Sequence, residues 1–194
     1  MNVRLLVLAA LSAVAVGCGY QSHAIPSTPY DVSFPRGAVI DESTRVDPQG
    51  FRVSWAVSGM NRDGVLMAWA MTPRDGESVE PGDHTAPLVE ALQAAVPRGC
   101  TGRPPTAVRV DSLDGQDLSF ACPRGSLHAR VLGGPAGIFC LLSAATHEAG
   151  LGEMGPDPVF MGSLAPHTPS PSARVVPSPT INTRFIEPLI NRLL

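Results

Sequence analysis

Residues 51–71, FRVSWAVSGMNRDGVLMAWAM, decide the fold because they contain two runs of alternating residues around one loop. Every second residue in the two runs is large and apolar: Phe51, Val53, Trp55, Val57, Val65, Met67, Trp69 and Met71. A period of two is typical of a β-strand with one buried face, and the loop over residues 58–64 is rich in Gly, Asn and Asp. The stretch therefore predicts an antiparallel hairpin with a single apolar face.

The next apolar pattern has a different period. Leu88 and Leu92 begin a series with a spacing of four residues, which predicts one amphipathic helix over residues 84–96. Asp83 or Thr85 is suited to cap its N-terminus. The helix is expected to pack beside the hairpin.

A second hairpin is expected around Leu113-Asp-Gly115. Here Val108 and Val110 precede the turn and Leu118 and Phe120 follow it. A two-residue Asp-Gly turn would place charged residues on the apolar face. A three-residue loop with a left-handed glycine instead sets Phe120 opposite Val108, and we expect this register because it keeps one face apolar.

The cysteines follow from that register. It places Cys122 opposite Thr106 at the open end of the hairpin, a few residues from Cys100. We therefore predict a Cys100–Cys122 disulfide. Cys140 lies in residues 138–142, which are apolar at every position and predict a central strand covered on both faces, so Cys140 is expected to be a buried free thiol.

The N-terminus has the pattern of a secretory signal. Arg4 is followed by an apolar run that ends at Gly17, directly before Cys18. Its exit, Ala15-Val-Gly-Cys18, resembles the lipobox of bacterial lipoproteins. The resemblance implies that residues 1–17 are a signal peptide, that lipid is attached to Cys18 and that residues 18–28 form a tether.

Two details bear on localisation. Gly19 is not the aspartate that retains lipoproteins in the inner membrane of enteric bacteria, so the resemblance implies an outer-membrane protein facing the periplasm. Ala13-Val-Ala15 also fits ordinary signal cleavage, and this alternative would give a secreted soluble protein. Both alternatives place the chain in an oxidising compartment that permits disulfides.

Three short motifs resemble the PsbP-like fold of small exported proteins. They are Tyr30-Asp-Val-Ser-Phe-Pro35, Val110-Asp-Ser-Leu-Asp-Gly115 and Phe160-Met-Gly-Ser-Leu164. The resemblance covers residues 29–165 and implies an α+β domain. We expect a single antiparallel sheet of about six to seven strands arranged in hairpins, with the main helix and a short C-terminal helix over 157–164 packed on it.

The C-terminal part divides into two segments. Residues 166–179 are rich in Pro and Ser and predict an extended linker, whereas residues 180–194 return to apolar spacing. The candidate partner-binding residues of this segment are Ile181, Phe185, Ile186, Leu189, Ile190 and Leu193. The segment either folds back on its own domain or docks on a partner or membrane.

The sequence indicates less about the function of the protein than about its cellular compartment. A net charge of −3 gives no electrostatic case for nucleic acid. The motifs predict no catalytic residue, metal or cofactor, so we expect a non-enzymatic binding or scaffold protein of the envelope. A small-ligand or lipid carrier, with a pocket between the Trp55/Trp69 hairpin and helix 84–96, is the alternative. An enzyme would need a cleft that gathers several of four residues: His128, Arg130, Asp111 and Arg109.

Overall fold

The computed structural model describes residues 19–58, 64–80, 82, 84–146, 157–166 and 174–181, and the fold is given for these residues. This part of the chain contains thirteen strands and two helices. The strands are β1 (Tyr20–Ala24), β2 (Tyr30–Pro35), β3 (Ile40–Val46), β4 (Arg52–Ser58), β5 (Val65–Thr72), β6 (Glu77–Val79), β7 (Thr101–Gly102), β8 (Thr106–Val110), β9 (Leu113–Cys122), β10 (Gly125–Gly134), β11 (Gly137–Thr146), β12 (Ala165–Pro166) and β13 (Arg174–Val176). The helices are α1 (Ala86–Ala95) and α2 (Pro158–Met161).

The strands form one large sheet and two small ones. The large sheet has eight strands in the order β3-β4-β5-β11-β10-β9-β7, with β8 also paired to β9. A small sheet has the order β1-β2-β12, and β6 pairs in parallel with β13. The pairings within the large sheet are antiparallel.

The large sheet is covered on both faces. On the helix face, Trp69 and Leu142 of the sheet share a core with Leu88 and Leu92 of α1. The other face, called the small-sheet face, is covered by strand β2 of the β1-β2-β12 sheet and by helix α2. On this face the large sheet contributes alanines and larger residues to a second core. This second core contains Val32, Phe34, Ala56, Ala68, Ala70, Phe139, Leu141 and Phe160. The large sheet is therefore the central layer, with α1 on one face and the β1-β2-β12 sheet and α2 on the other.

The prediction of an α+β domain with a single sheet is wrong. Strands dominate the described chain, and three sheets replace the one expected. The error comes from the face of β4 and β5 that carries Ala56, Ala68 and Ala70, which alternation assigned to solvent. These alanines are fully buried beneath the small sheet, because small side chains allow two sheets to approach closely.

Several local predictions are confirmed. β4 and β5 form the expected hairpin, with Trp55 opposite Trp69. Helix α1 lies within the expected range and begins after Thr85, although the Thr85 side chain makes no capping hydrogen bond. β11 is central, between β5 and β10, and its residues 138–142 are all buried.

The register predicted for the second hairpin is wrong. The turn is Asp111-Ser112, so that Val110 lies opposite Leu113 and Val108 opposite Gly115. Gly115 is not left-handed; a side chain there would collide with the Val131 carbonyl oxygen. The prediction assumed one buried face. Because both faces of this sheet are covered, the valines of β8 pack on the small-sheet face while the apolar residues of β9 beyond the turn pack on the other.

The predicted tether and linker are also corrected in part. Residues 18–28 contain β1, which pairs with β2 along its whole length. Residues 166–179 contain β13, which extends the edge of β6. The brief C-terminal helix is confirmed as α2, where the Asp157 carboxylate accepts hydrogen bonds from two backbone N–H groups of the first turn.

Candidate ligand-binding cleft

Four chain segments meet at one end of the large sheet and line an open cleft of about 870 Å³. They are the turn before β2, the connection from β5 to β6, the turn between β8 and β9, and the turn between β10 and β11. Antiparallel pairing brings these segments together because Ile138 lies opposite Met71 and Gly134 opposite Gly137. The cleft therefore lies where the small sheet meets the turns of the large one.

Two neighbouring strands supply the floor and rim of the cleft. Thr72, the last residue of β5, lies directly opposite Arg52, the first residue of β4. Residues opposite each other on adjacent strands point to the same face, and here that is the small-sheet face. Arg52 reaches Asp75 through two hydrogen bonds, Nη1 to Oδ1 at 2.6 Å and Nη2 to Oδ2 at 2.8 Å.

The Arg52–Asp75 pair determines the charge state of this wall. Hydrogen bonding and charge from the Arg52 guanidinium hold the pKa of Asp75 below its usual value. The hydrogen bond to Asp75 raises the pKa of Arg52. The pair therefore presents a fixed donor and a fixed acceptor over the physiological pH range.

The opposite wall is formed by Tyr30 and the Asp111-Ser112 turn. Burial, opposed by a hydrogen bond with Ser112 and reinforced by the charge of Asp111, raises the pKa of Tyr30. Ser27 and Asp111 have φ angles of 56° and 51°, and they are the two non-glycine residues with positive φ in the described chain. Both line the cleft, and such conformations persist only where the surrounding structure holds them.

The Thr72 hydroxyl distinguishes the cleft from an ordinary surface depression. Thr72 is 3% exposed, and its Oγ1 is the one buried side-chain oxygen or nitrogen without a hydrogen-bond partner among the described residues. A buried hydroxyl that lacks a partner costs about 1–3 kcal/mol.

Neither a protein-family model nor a curated protein matches this chain.

The tryptophans beside the expected carrier pocket belong to the helix-face core. Trp69 is 5% exposed and belongs to the same continuous core as Leu88 and Leu92 of α1, with Trp55 partly buried against it. The cleft instead lies on the other face of the sheet.

Two of the four residues named for an enzyme lie together, because Arg109 Nε donates a hydrogen bond to the Asp111 carbonyl oxygen at 3.2 Å. Asp111 lines the cleft, whereas Arg130 pairs with Asp117 at 2.7 Å and Arg109 with Asp114 at 3.6 Å. Another of the four, His128, accepts or donates a hydrogen bond with Ser119 at 2.7 Å and is half-buried. Burial, with the charge of Arg103, lowers the pKa of His128. Arg109, Arg130 and His128 therefore each have an ionic or hydrogen-bonding partner of their own.

The cysteine predictions are confirmed where the structure describes them. Cys100 and Cys122 form a disulfide with a Cα–Cα distance of 4.0 Å. The pairing of β7 with β9 explains it, because Thr101 lies opposite Ala121 and the next pair is the two cysteines. Cys140 is a buried free thiol, and burial raises its pKa to about 12.

The remaining predicted sites lie at the ends of the chain. Cys18 and residues 182–194, including Phe185, Ile186, Leu189, Ile190 and Leu193, are outside the described residues. Ile181 is described and packs against the helix-face core. Just before it, Thr180 exchanges two hydrogen bonds with Gln49, through its N–H at 2.9 Å and its carbonyl oxygen at 3.0 Å.

Two further findings concern metals and membranes. The described ranges hold no group of three or more His, Cys, Asp or Glu side chains placed to bind a metal ion. Within the same ranges, every helix is too short or too polar to cross a membrane.

Thr72 and the Arg52–Asp75 pair were missed by sequence reasoning. Thr72 ends an apolar strand directly before Pro73 and carries no motif. Arg52 was assigned to a solvated face. The available signal was the run of small residues on that face, which would have indicated a second packing layer and an edge where it stops.

Proposed function

We propose that this chain is an exported, lipid-anchored binding protein of the bacterial envelope, held at the periplasmic face of the outer membrane by lipid on Cys18. The observation that carries the proposal is the Cys100–Cys122 disulfide. Disulfides persist in oxidising compartments and are rare in the cytosol. A disulfide in the folded domain is therefore consistent with the signal-like N-terminus.

The role we propose is binding and not catalysis. Two arginines of the large sheet form ion pairs, Arg52 with Asp75 and Arg130 with Asp117. Such pairs hold geometry and present hydrogen-bonding edges, and their carboxylates are already engaged by the arginines. The cleft has the volume of a small-molecule site, about 300–1,000 Å³.

The test is the intact mass of the full chain purified from bacterial membranes, with and without reductant. We expect a species that begins at Cys18, carries acyl mass and gains two hydrogen atoms on reduction, with Cys140 unchanged. A soluble species that begins at Val16 with all four cysteines oxidised would contradict the anchor. That result would favour the secreted alternative.

A partner-docking function for residues 180–194 is the second candidate. Its apolar residues recur at the spacing of one helix face, which favours a docking role. The contacts of Thr180 and Ile181 support a start of the segment on its own domain. Deletion of residues 182–194 separates the alternatives: loss of a co-purifying partner at unchanged stability supports docking on a partner, whereas a lowered unfolding free energy supports docking in cis.

A further inference from the structure

The unpaired hydroxyl of Thr72 and the Arg52–Asp75 pair lie side by side. Thr72 and Arg52 are cross-strand neighbours, so their β-carbons are about 4.5–5.5 Å apart. The hydroxyl can both donate and accept a hydrogen bond, the guanidinium only donates, and the carboxylate only accepts. The Thr72 oxygen is itself buried, so a ligand meets all three kinds of hydrogen-bonding group only where the side chains over Thr72 move to admit it.

The other polar groups of the cleft are mostly neutral. Hydroxyl-bearing residues account for much of the lining: Ser27, Thr28, Tyr30, Thr72, Ser78 and Ser112. The ionic side chains are two arginines and three carboxylates. This near balance gives no strong attraction for an anion or a cation. It favours a neutral ligand that is rich in groups able to donate and accept hydrogen bonds.

The apolar part of the lining has a matching character. Four prolines contribute to the walls: Pro29, Pro73, Pro135 and Pro166. Their rings are rigid and present C–H surface without hydrogen-bond donors. Sugar rings combine hydroxyls at their edges with C–H groups on their faces. A lining that combines hydroxyls with proline rings fits that chemistry.

We propose that this cleft binds a neutral carbohydrate of two or three sugar units. Thr72 Oγ1 forms a hydrogen bond with a sugar hydroxyl at the floor, and the Arg52–Asp75 pair bonds neighbouring hydroxyls at the rim. The proposal rests on the proposed function as a binding protein. The cleft volume of about 870 Å³ lies in the upper part of the range of small-molecule sites, which suits more than one ring.

The test is isothermal titration of the full chain, purified in lauryldimethylamine oxide because that detergent carries no sugar. The probes are maltotriose, cellotriose and triacetylchitotriose, with sodium glutamate as a carboxylate probe. We expect saturable binding of at least one trisaccharide and none of glutamate. No saturation with any trisaccharide, or binding of glutamate alone, would overturn the proposal.

Two variants assign the binding to this cleft. Thr72→Val keeps the shape of the side chain and removes its hydroxyl, and Asp75→Asn changes the 88% exposed member of the ion pair without touching the core. Each should weaken the affinity for the bound trisaccharide about fivefold or more. Asp114→Asn, which alters an exposed Arg–Asp pair outside this cleft, should leave it unchanged.

The outcomes for the two proposals are separable. If Thr72→Val and Asp75→Asn both bind the trisaccharide within twofold of the unaltered chain, the carbohydrate does not occupy this cleft and the proposal fails. A chain with acyl mass at Cys18 that binds no sugar removes the carbohydrate and leaves the export proposal standing. A soluble chain that binds maltotriose removes the lipid anchor and leaves the carbohydrate proposal standing.

Discussion

The two faces of the large sheet are built differently, although they belong to the same strands. On the helix face, β4 and β5 present large residues such as Trp69 and Met67, and one helix fills the space above them. On the small-sheet face, the same strands present Ala56, Ala68 and Ala70, and a second sheet packs closely on them. Large residues accommodate a helix, whereas small residues admit another sheet.

The two faces are also held to their covering layers by different interactions. The Cys100–Cys122 disulfide belongs to the helix face, where Cys122 is part of the core. The small-sheet face has packing and polar contacts, and the Thr72 cleft opens at its edge. The helix face therefore carries the covalent cross-link, and the small-sheet face carries the cleft that we propose as a binding site.

The largest expected effect tests whether the small-sheet face is a true core. Phe139 is fully buried there, with its ring centroid 4.6 Å from that of Tyr30. Phe139→Ala should lower the unfolding free energy by about 3–5 kcal/mol, because it removes a large side chain and leaves a cavity. Denaturant unfolding measures the change. Val175→Ala, at a site 64% exposed, is the control and should have an effect below about 0.5 kcal/mol.

The next effect concerns the fastening of the helix face. The Cys100→Ser/Cys122→Ser double variant should lose about 3 kcal/mol, since the disulfide closes a loop between residues 22 positions apart. Reduction of the unaltered chain should produce a similar loss. Dithiothreitol should have no effect on the double variant, and a further loss there would show that another disulfide contributes.

A smaller effect tests why the two sheets can approach each other. Ala70 is fully buried between them, so Ala70→Leu should overpack the interface and cost about 1–3 kcal/mol. Ala107→Leu, on the exposed surface of β8, is the matched control. Equal stability of the two variants by thermal unfolding would mean that the small sheet does not press on the alanines.

The smallest effect is pH dependence on the small-sheet face. His128 lies on that face, and its folded-state pKa is lowered by burial and by Arg103. Just below the ordinary histidine pKa of about 6.5, His128 therefore binds a proton in the unfolded chain but not in the folded one. Stability should fall as the pH drops from about 6.5 through the folded pKa. In His128→Gln this part of the melting-temperature decrease should disappear; an unchanged pH profile would assign it to other groups.

The same contrast explains what the sequence could predict. Regular alternation in 51–71 and the four-residue spacing around Leu88 identified the hairpin and the helix, because each pattern reports one buried face. The continuous apolar run at 138–142 correctly indicated a strand covered on both sides. The same double coverage extends to β4 and β5, where alternation alone indicates one buried face.

The disulfide shows how a correct result can come from a wrong step. The disulfide prediction rests on a register with Phe120 opposite Val108, whereas the structure places Gly115 opposite Val108. The prediction held because β7 lies beside the far end of β9. The cleft could not be predicted at all. It depends on four turns that are distant in sequence, and Thr72 has no local signal of its unpaired hydroxyl.

The most direct test of the account is the unfolding free energy of Thr72→Val without ligand. If the hydroxyl is kept for a ligand and not for the fold, its removal should raise stability by about 1 kcal/mol. Thr28→Val is the control in the same cleft, because its hydroxyl already bonds the Ile25 carbonyl oxygen and the Tyr30 N–H; this variant should be less stable. A loss of about 1 kcal/mol or more in Thr72→Val would show that the fold itself uses the hydroxyl, and would contradict the account.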